Sequence, residues 1–218
     1  PPTDMGVNMA GFAIVDDDAC RDASCREIVR RYFHSAEDCK RSGAGEQELH
    51  KIELLMSRVG ISADVLPARK ACLEKEEATG GPSGAIELPN GTVVTGKTGN
   101  LMGCASSLLM NALKALAGVD DDLLVIDDEV IAPICHLKTE HLKSTNPRLH
   151  SDETLLALAV SSRGNAIAAQ LMDSINKLKG CDAHFSVIIS PTDENLYRTL
   201  GINVSCEPKF EQRRFYHK

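Results

Sequence analysis

The sequence predicts an α/β protein in which a mainly helical N-terminal region precedes an α/β region. Three observations carry this. Residues 19–79 hold successive helical patterns with no strand signal between them. Residues 85–118 read as a tight hairpin feeding a long apolar helix. Residues 183–206 follow a β-α-β pattern, and strands alternating with helices indicate a sheet layered with helices. The glycine-rich run Thr79-Gly80-Gly81-Pro82-Ser83-Gly84 is the best boundary. It divides the chain into a helical subdomain over 1–80, a linker over 81–84 and an α/β subdomain over 85–218.

In chain order, Met9–Val15 is a short apolar run, read as a strand or buried loop. Asp16, Asp17 and Asp18 form an acidic cluster that fits an N-cap region, with metal binding as the alternative. Ala19–Ser42 reads as a helix with Ile28, Val29, Tyr32 and Phe33 on its apolar face. Arg26, Arg30 and Arg31 lie beside His34 on the other face. Such a face is either solvated or a contact for an anionic ligand or acidic partner. Glu46–Val59 is a second helix stopped by Gly60, and a third falls within Ser62–Glu77.

The stretch Ala85–Gly118 organises the chain. Asn90-Gly91 between two β-prone runs, Ala85–Leu88 and Thr92–Thr95, signals a hairpin, because both turn residues tolerate positive φ. Gly91 to Thr98 also formally match a phosphate loop. The residues between its glycines, Thr92-Val93-Val94-Thr95, include three β-branched side chains that favour an extended strand over a cradle of amides. A simpler anion site remains at Lys97, Thr98 and Asn100, ahead of a helix N-terminus. The alternative is that Thr98 or Asn100 only caps that helix. Leu101 to Ala117 then recur at helical spacing, Gly118 ends the run, and Cys104 reads as a buried small hydrophobe.

Beyond it, Leu123–Ile126 reads as a short strand and 130–143 as a helix broken near Pro133. Ser151 is positioned to cap the next helix, which Arg163-Gly164-Asn165 interrupts before a further helix over Ala166–Lys179. Phe185–Ile189 and Ile202–Cys206 read as strands flanking a helix that starts near Thr192. The N-termini near Thr98–Asn100, Ser151 and Thr192 are the best-placed anion sites. His184 with Cys181 is a conceivable thiol–imidazole pair, against a structural role for both. His136 and His141 lie off the spacing that puts two ligands on one face of an α-helix; His136 with Glu140 is better aligned.

The net charge of −7 argues against general binding of nucleic acid or anionic membranes, and no apolar run approaches a membrane span. Eight cysteines without a C-x-x-C pair predict reduced thiols in the cytoplasm or another reducing compartment. No G-x-S-x-G, H-E-x-x-H or dinucleotide fingerprint is present, nor the H-x-E and P-C-x-x-C residues of zinc deaminases. No metal site, cofactor or catalytic residue is therefore assigned. The start at Pro1 leads to the expectation of a processed product, split gene product or fragment.

The blocks PPTDMGVNMAGF, EIVRRYF, IELPNGTVVTGKTGNLMGCASSLLMNALKALAG, LHSDETLLALAVSS, GCDAHFSVIISPTDENLYRTLGINVSCEP and the terminal YHK occur in an order that resembles a known family. It is similar to the C-terminal half of the bacterial domain of unknown function 1846 family (uncharacterised protein family 0371). The resemblance spans essentially the whole chain, with residues 16–42 departing from the usual pattern through extra cysteines. It implies a helical insertion followed by a three-layer α/β subdomain of cytidine-deaminase-like topology, without deaminase residues. The family has no established reaction, although some members carry the label of ATP-dependent peptidases. Its members are about twice this length, with a Rossmann-like N-terminal half that the resemblance implies is missing here. The expectation is then a non-autonomous C-terminal module acting in assembly or ligand closure. Its partner is another copy or a separate polypeptide supplying the N-terminal half. The alternatives are an enzyme or enzyme half binding a phosphorylated or carboxylated small molecule, including a nucleotide, and a structural subunit of a larger complex.

Overall fold

The computed structural model describes residues 16–211. The run Met9–Val15 lies outside them. A four-stranded mixed sheet is built from β1 (Ser83–Glu87), β2 (Val93–Lys97), β3 (Asp182–Phe185) and β4 (Asn203–Cys206), in the order β2-β1-β3-β4. β1 is antiparallel to both neighbours, and β3 and β4 are parallel.

Alternation along the strands assigns the two faces. Ser83 and Ala85 meet Cys72 and Ala68 on one side, while Ile86, Phe185 and Val204 enter the main core on the other. The first side is covered by α1 (Asp17–Ser42) and α3 (Pro67–Thr79), with α2 (Glu46–Val59) packed on α1. The second is covered by α4 (Cys104–Ala117), around which α5 (Asp128–His136), α6 (Ser151–Ser161), α7 (Ala166–Asp173) and α8 (Pro191–Thr199) are arranged. The result is three layers, with Leu108, Leu113, Leu158, Leu171 and Phe185 fully buried in the larger core.

The hairpin forms as its sequence predicts. Gly91 has φ +81°, and Leu88 and Thr92 close the turn through the Leu88 N–H to Thr92 carbonyl bond of 2.8 Å. β2 extends through Gly96 to Lys97, which pair with Gly84 and Ser83. The Thr98 N–H is given to the Pro82 carbonyl at 2.9 Å. These residues are ladder and sheet edge, so the formal phosphate-loop match is not a phosphate cradle.

Other elements differ from the sequence reading for identifiable reasons. Ser83 and Gly84, read as linker, open β1, because Ser83 is held by Cys72 and Ser186. Leu123–Ile126 is not a strand: Val125 and Ile126 are buried by packing rather than pairing, and Asn165 Nδ2 donates to the Val125 carbonyl. β3 stops at Phe185, since Ser186 bonds back to Ser83 and the Ile188 N–H turns to the Lys209 carbonyl. After α5, which contains Pro133, a single π-helical turn spans Leu137–His141. Its wider repeat brings His136 and His141 edge to face at 5.5 Å, a pairing that α-helical spacing does not anticipate. No helix among the described residues is long and apolar enough to cross a membrane.

Candidate functional site

The N-termini of α4, α6 and α8 meet at one cavity of about 60 Å³, room for a small polar group. Its wall includes Thr98 after β2, Gly103 to Ala105 at the start of α4, and Arg148 with His150 before α6. Ser190 and Asp193 of the α8 entry complete that wall.

Each helix enters differently. α8 is capped locally: Ser190 Oγ accepts the Asp193 N–H at 3.1 Å, and Pro191 at the first helical position needs no acceptor. α6 begins after His150, and its Ser151 is not the cap that its side chain suggests. Instead Asp193, from α8, accepts the Ser151 N–H at 2.8 Å and the Ser151 hydroxyl at 2.7 Å. α4 follows Gly103, which has no side chain to cap it, and no side chain among the described residues serves in its place. The α4 amides in the cavity wall, at Cys104 and Ala105, therefore lack a side-chain acceptor.

Asp193 organises the chemistry. Its second oxygen accepts the Ser190 hydroxyl at 2.6 Å and lies 3.1 Å from His150 Nδ1. Four donors hold this buried carboxylate below its ordinary range despite the desolvation that opposes ionisation. The same bond raises the His150 pKa above its usual value. It also fixes the proton on Nδ1, and Nε2 has no partner among the described residues. The His150 N–H is taken by Glu153 at 2.8 Å, and buried Lys138 binds Glu153 at 2.7 Å, so the imidazole sits on a rigid base. Arg148 adds a second cation, 3.6 Å from Glu211.

Cys104 shares the cavity, but burial pushes its thiol up to about 12, so it is protonated at neutral pH. No ring-to-sulfur bond joins it to His150. Among the described residues no group of three or more His, Cys, Asp or Glu side chains is placed to hold a metal ion. Asp16 is the α1 cap and accepts the Ala19 N–H at 2.8 Å.

The other residues singled out from sequence fall apart in space or have other partners. Thr98 lines the cavity; Lys97 and Asn100 are exposed on either side of it in the chain. Thr192 is exposed in the first turn of α8. Arg30 binds Asp182 at 2.7 Å and Arg31 binds Glu27 at 2.9 Å, and both line a different cleft between α1 and α8. His184 is fully buried. Its Nδ1 lies 2.8 Å from the Ser205 hydroxyl and its Nε2 3.3 Å from Glu207, while Phe33 packs on its ring. Cys181 instead turns its thiol toward the Lys177 carbonyl. Both ring nitrogens of His184 are satisfied by the neutral, Nε2-protonated form. Desolvation lowers its pKa, so its folded state resists protonation. Stability from His184 is therefore lost as pH falls below the ordinary histidine range of about 6.5. In an NMR titration, the His184 ring is expected to remain neutral at a pH where the His150 ring is already charged. A His184 midpoint at or above that of His150 would contradict this assignment.

Asp193, His150 and Arg148 were not legible as a site. The available signal was the pair of helix-start motifs, Leu149-His150-Ser151-Asp152-Glu153 and Ser190-Pro191-Thr192-Asp193, which sequence places but does not bring together.

The fold and cavity define a three-layer α/β protein with a histidine–aspartate pair at converging helix starts. A family model described as "Domain of unknown function DUF1846, C-terminal" matches residues 64–216, and one described as "Domain of unknown function DUF1846, N-terminal" matches residues 1–60. The chain belongs to the DUF1846 family. The second match corrects the expectation of a C-terminal half alone: α1 and α2 fall within the N-terminal domain's match, and the reading as a solely C-terminal module is withdrawn. Similar curated proteins include a UPF0371 protein of Streptococcus thermophilus (strain CNRZ 1066), 47% identical over 217 residues. Those of Corynebacterium efficiens and Corynebacterium diphtheriae are 46% and 45% identical. In each case the alignment covers 100% of this chain and 44% of the relative. The chain thus spans less than half the length of these proteins.

Proposed function

We propose that the cavity at the starts of α4, α6 and α8 binds the phosphate or carboxylate of a small molecule, as an enzyme or part of one. The observation that carries this is a His150 imidazole oriented by Asp193 beside the uncapped N-terminus of α4. An N-terminus without a cap favours an anion through its open amides and dipole. A charged His150 Nε2–H and the Thr98 hydroxyl add donors of the same polarity. With its other nitrogen held by Asp193, His150 is also the group able to exchange a proton with a bound ligand. Lys97 and Asn100 act at longer range, from either side of Thr98. Arg30, Arg31, Ser151, Thr192 and His184 do not touch the ligand in this reading. Cytidine-deaminase-like topology remains part of the proposal, as ancestry rather than chemistry.

Association with further copies or other chains belongs to the same proposal. Leu156 and Val160, one turn apart on α6, and Leu54, Leu55 and Val59 on α2 are exposed apolar surface on which it would rest. The free cysteines support a reducing compartment.

Calorimetric titration with inorganic phosphate tests the cavity. His150→Gln is expected to weaken binding by roughly tenfold or more, as loss of one charge-assisted bond implies. Lys97→Ala should change it by less than about threefold, because an exposed charge is screened. Equal binding by His150→Gln and the parent protein would remove the basis of the proposal.

A further inference from the structure

The basic face of α1 takes no part in the cavity at the helix starts. It lines a second cleft, of about 180 Å³, where α1 and α8 flank the outer edge of β4. β4 is the last strand of its sheet, with no strand beyond it. Asn203 is turned toward β3: its N–H donates to the Cys181 carbonyl at 2.9 Å, and it pairs with Asp182 in the parallel register. The peptide groups on either side of a residue so paired aim the other way, because carbonyl and N–H point oppositely across a trans peptide. The Ile202 carbonyl and the Val204 N–H therefore face the cleft, and neither has a partner among the described residues. Val204 is only 5% exposed, and a buried amide without an acceptor is rare.

The walls of the cleft are cationic. Arg30 is engaged by Asp182 and Glu27. Arg31, 70% exposed, donates through Nε to Glu27 at 2.9 Å, and its terminal nitrogens make no hydrogen bond among the described residues. Arg198, half exposed, gives Nη2 to Glu194 at 2.7 Å and to His34 Nδ1 at 3.3 Å, which leaves Nη1 and Nε. Since the guanidinium donates, His34 Nδ1 accepts and the ring proton lies on Nε2. Three guanidiniums thus line the cleft against one carboxylate, Glu27. The other carboxylates that bind them, Asp182 and Glu194, lie outside its lining.

We propose that this cleft docks an acidic residue of an extended peptide from a partner protein. The residue's N–H meets the Ile202 carbonyl and its C=O accepts the Val204 N–H, which adds one parallel rung to the edge of the sheet. Its carboxylate reaches the remaining nitrogens of Arg31 and Arg198. Strand addition draws affinity from main-chain bonds and specificity from side chains. A free oxyanion would satisfy the arginines but leave the Ile202 carbonyl without a donor. The site is independent of the cavity around His150.

The test is an NMR titration with a blocked pentapeptide, Thr-Val-Glu-Val-Thr, followed at the Val204 amide and the His34 ring. Both signals should shift saturably while those of His150 stay unmoved. The same peptide with glutamine at its centre should bind at least about fivefold more weakly, the scale of a charge-assisted contact. N-methylation of the glutamate, which removes the donor to Ile202, should weaken binding by about three- to tenfold. Arg31→Gln and Arg198→Gln, checked for folding by circular dichroism, should each weaken it by a similar factor. No shift at the highest soluble peptide concentration overturns the proposal, as does equal binding of the glutamate and glutamine peptides. Equal binding of the N-methylated peptide overturns strand addition. Shifts produced by inorganic phosphate but not by the peptide would make the cleft a free-oxyanion site and overturn the peptide reading. None of these outcomes bears on the His150 cavity, whose own titration is read at a different ring.

Discussion

Replacing Gly96 with alanine is expected to destabilise the protein by about 3 kcal/mol, the upper part of the range for overpacking a close-packed interior. A Cβ at Gly96 would stand 2.4 Å from the Leu108 amide nitrogen and 2.5 Å from its Cα. These are backbone atoms in the middle of α4, so no side-chain rotation relieves the contact. The strand or the helix must move, and the Gly84–Gly96 pairing on one side and the core around Leu108 on the other resist both. Denaturant unfolding measures the loss. Gly164→Ala is the control: nothing lies within 4 Å of its added carbon, and a change below about 1 kcal/mol is expected there. A stable Gly96→Ala would mean that β2 and α4 are not in direct backbone contact.

Asp193→Asn is expected to lower stability by about 3 kcal/mol at neutral pH, as for breaking one side of a buried charge pair. An amide cannot accept all four donors now shared by the carboxylate, and it withdraws the charge that attracts the His150 proton. The signs are distinct. His150 has a raised folded pKa, so its contribution is complete below about 6.5 and fades as pH rises through that folded value. Asp193 has a depressed folded pKa, so its contribution is present above about 3.9 and fades as pH falls. The difference between parent and variant should therefore be greatest in mildly acidic solution, between the two ranges, and shrink on both sides. Unfolding measured from acid to alkaline pH checks this, together with a fall of the His150 midpoint toward its ordinary value. A pH-independent difference would show that Asp193 acts only as a neutral hydrogen-bond acceptor.

Local signals located the hairpin, the helices and the β-α-β end because their causes are local. Asn90-Gly91 needs only its own backbone freedom, and Gly43, Gly60, Gly80 and Gly118 end helices in the left-handed conformation wherever those helices pack. Tertiary contacts were not legible. Val125 and Ile126 look like strand residues, but burial without pairing satisfies them. Ser151 looks like a cap, but its acceptor is 42 residues away in Asp193. Gly96 looks like the second glycine of a phosphate loop, and its purpose in the fold is contact with α4. The candidate site followed the same rule. Its helix starts could be placed along the chain, whereas their convergence depends on how α4, α6 and α8 pack. Arg30 illustrates the converse, since its apparent availability ends at Asp182, brought to it by the sheet.

The most direct test of the central claim is an NMR titration of the His150 ring with and without inorganic phosphate. If the cavity holds an oxyanion against a charged imidazole, phosphate should shift the His150 midpoint to higher pH and leave that of buried His184 unmoved. A His150 midpoint unaffected by phosphate, in protein whose His150 still titrates above the ordinary range, would contradict the assignment of this cavity as an anion-binding site.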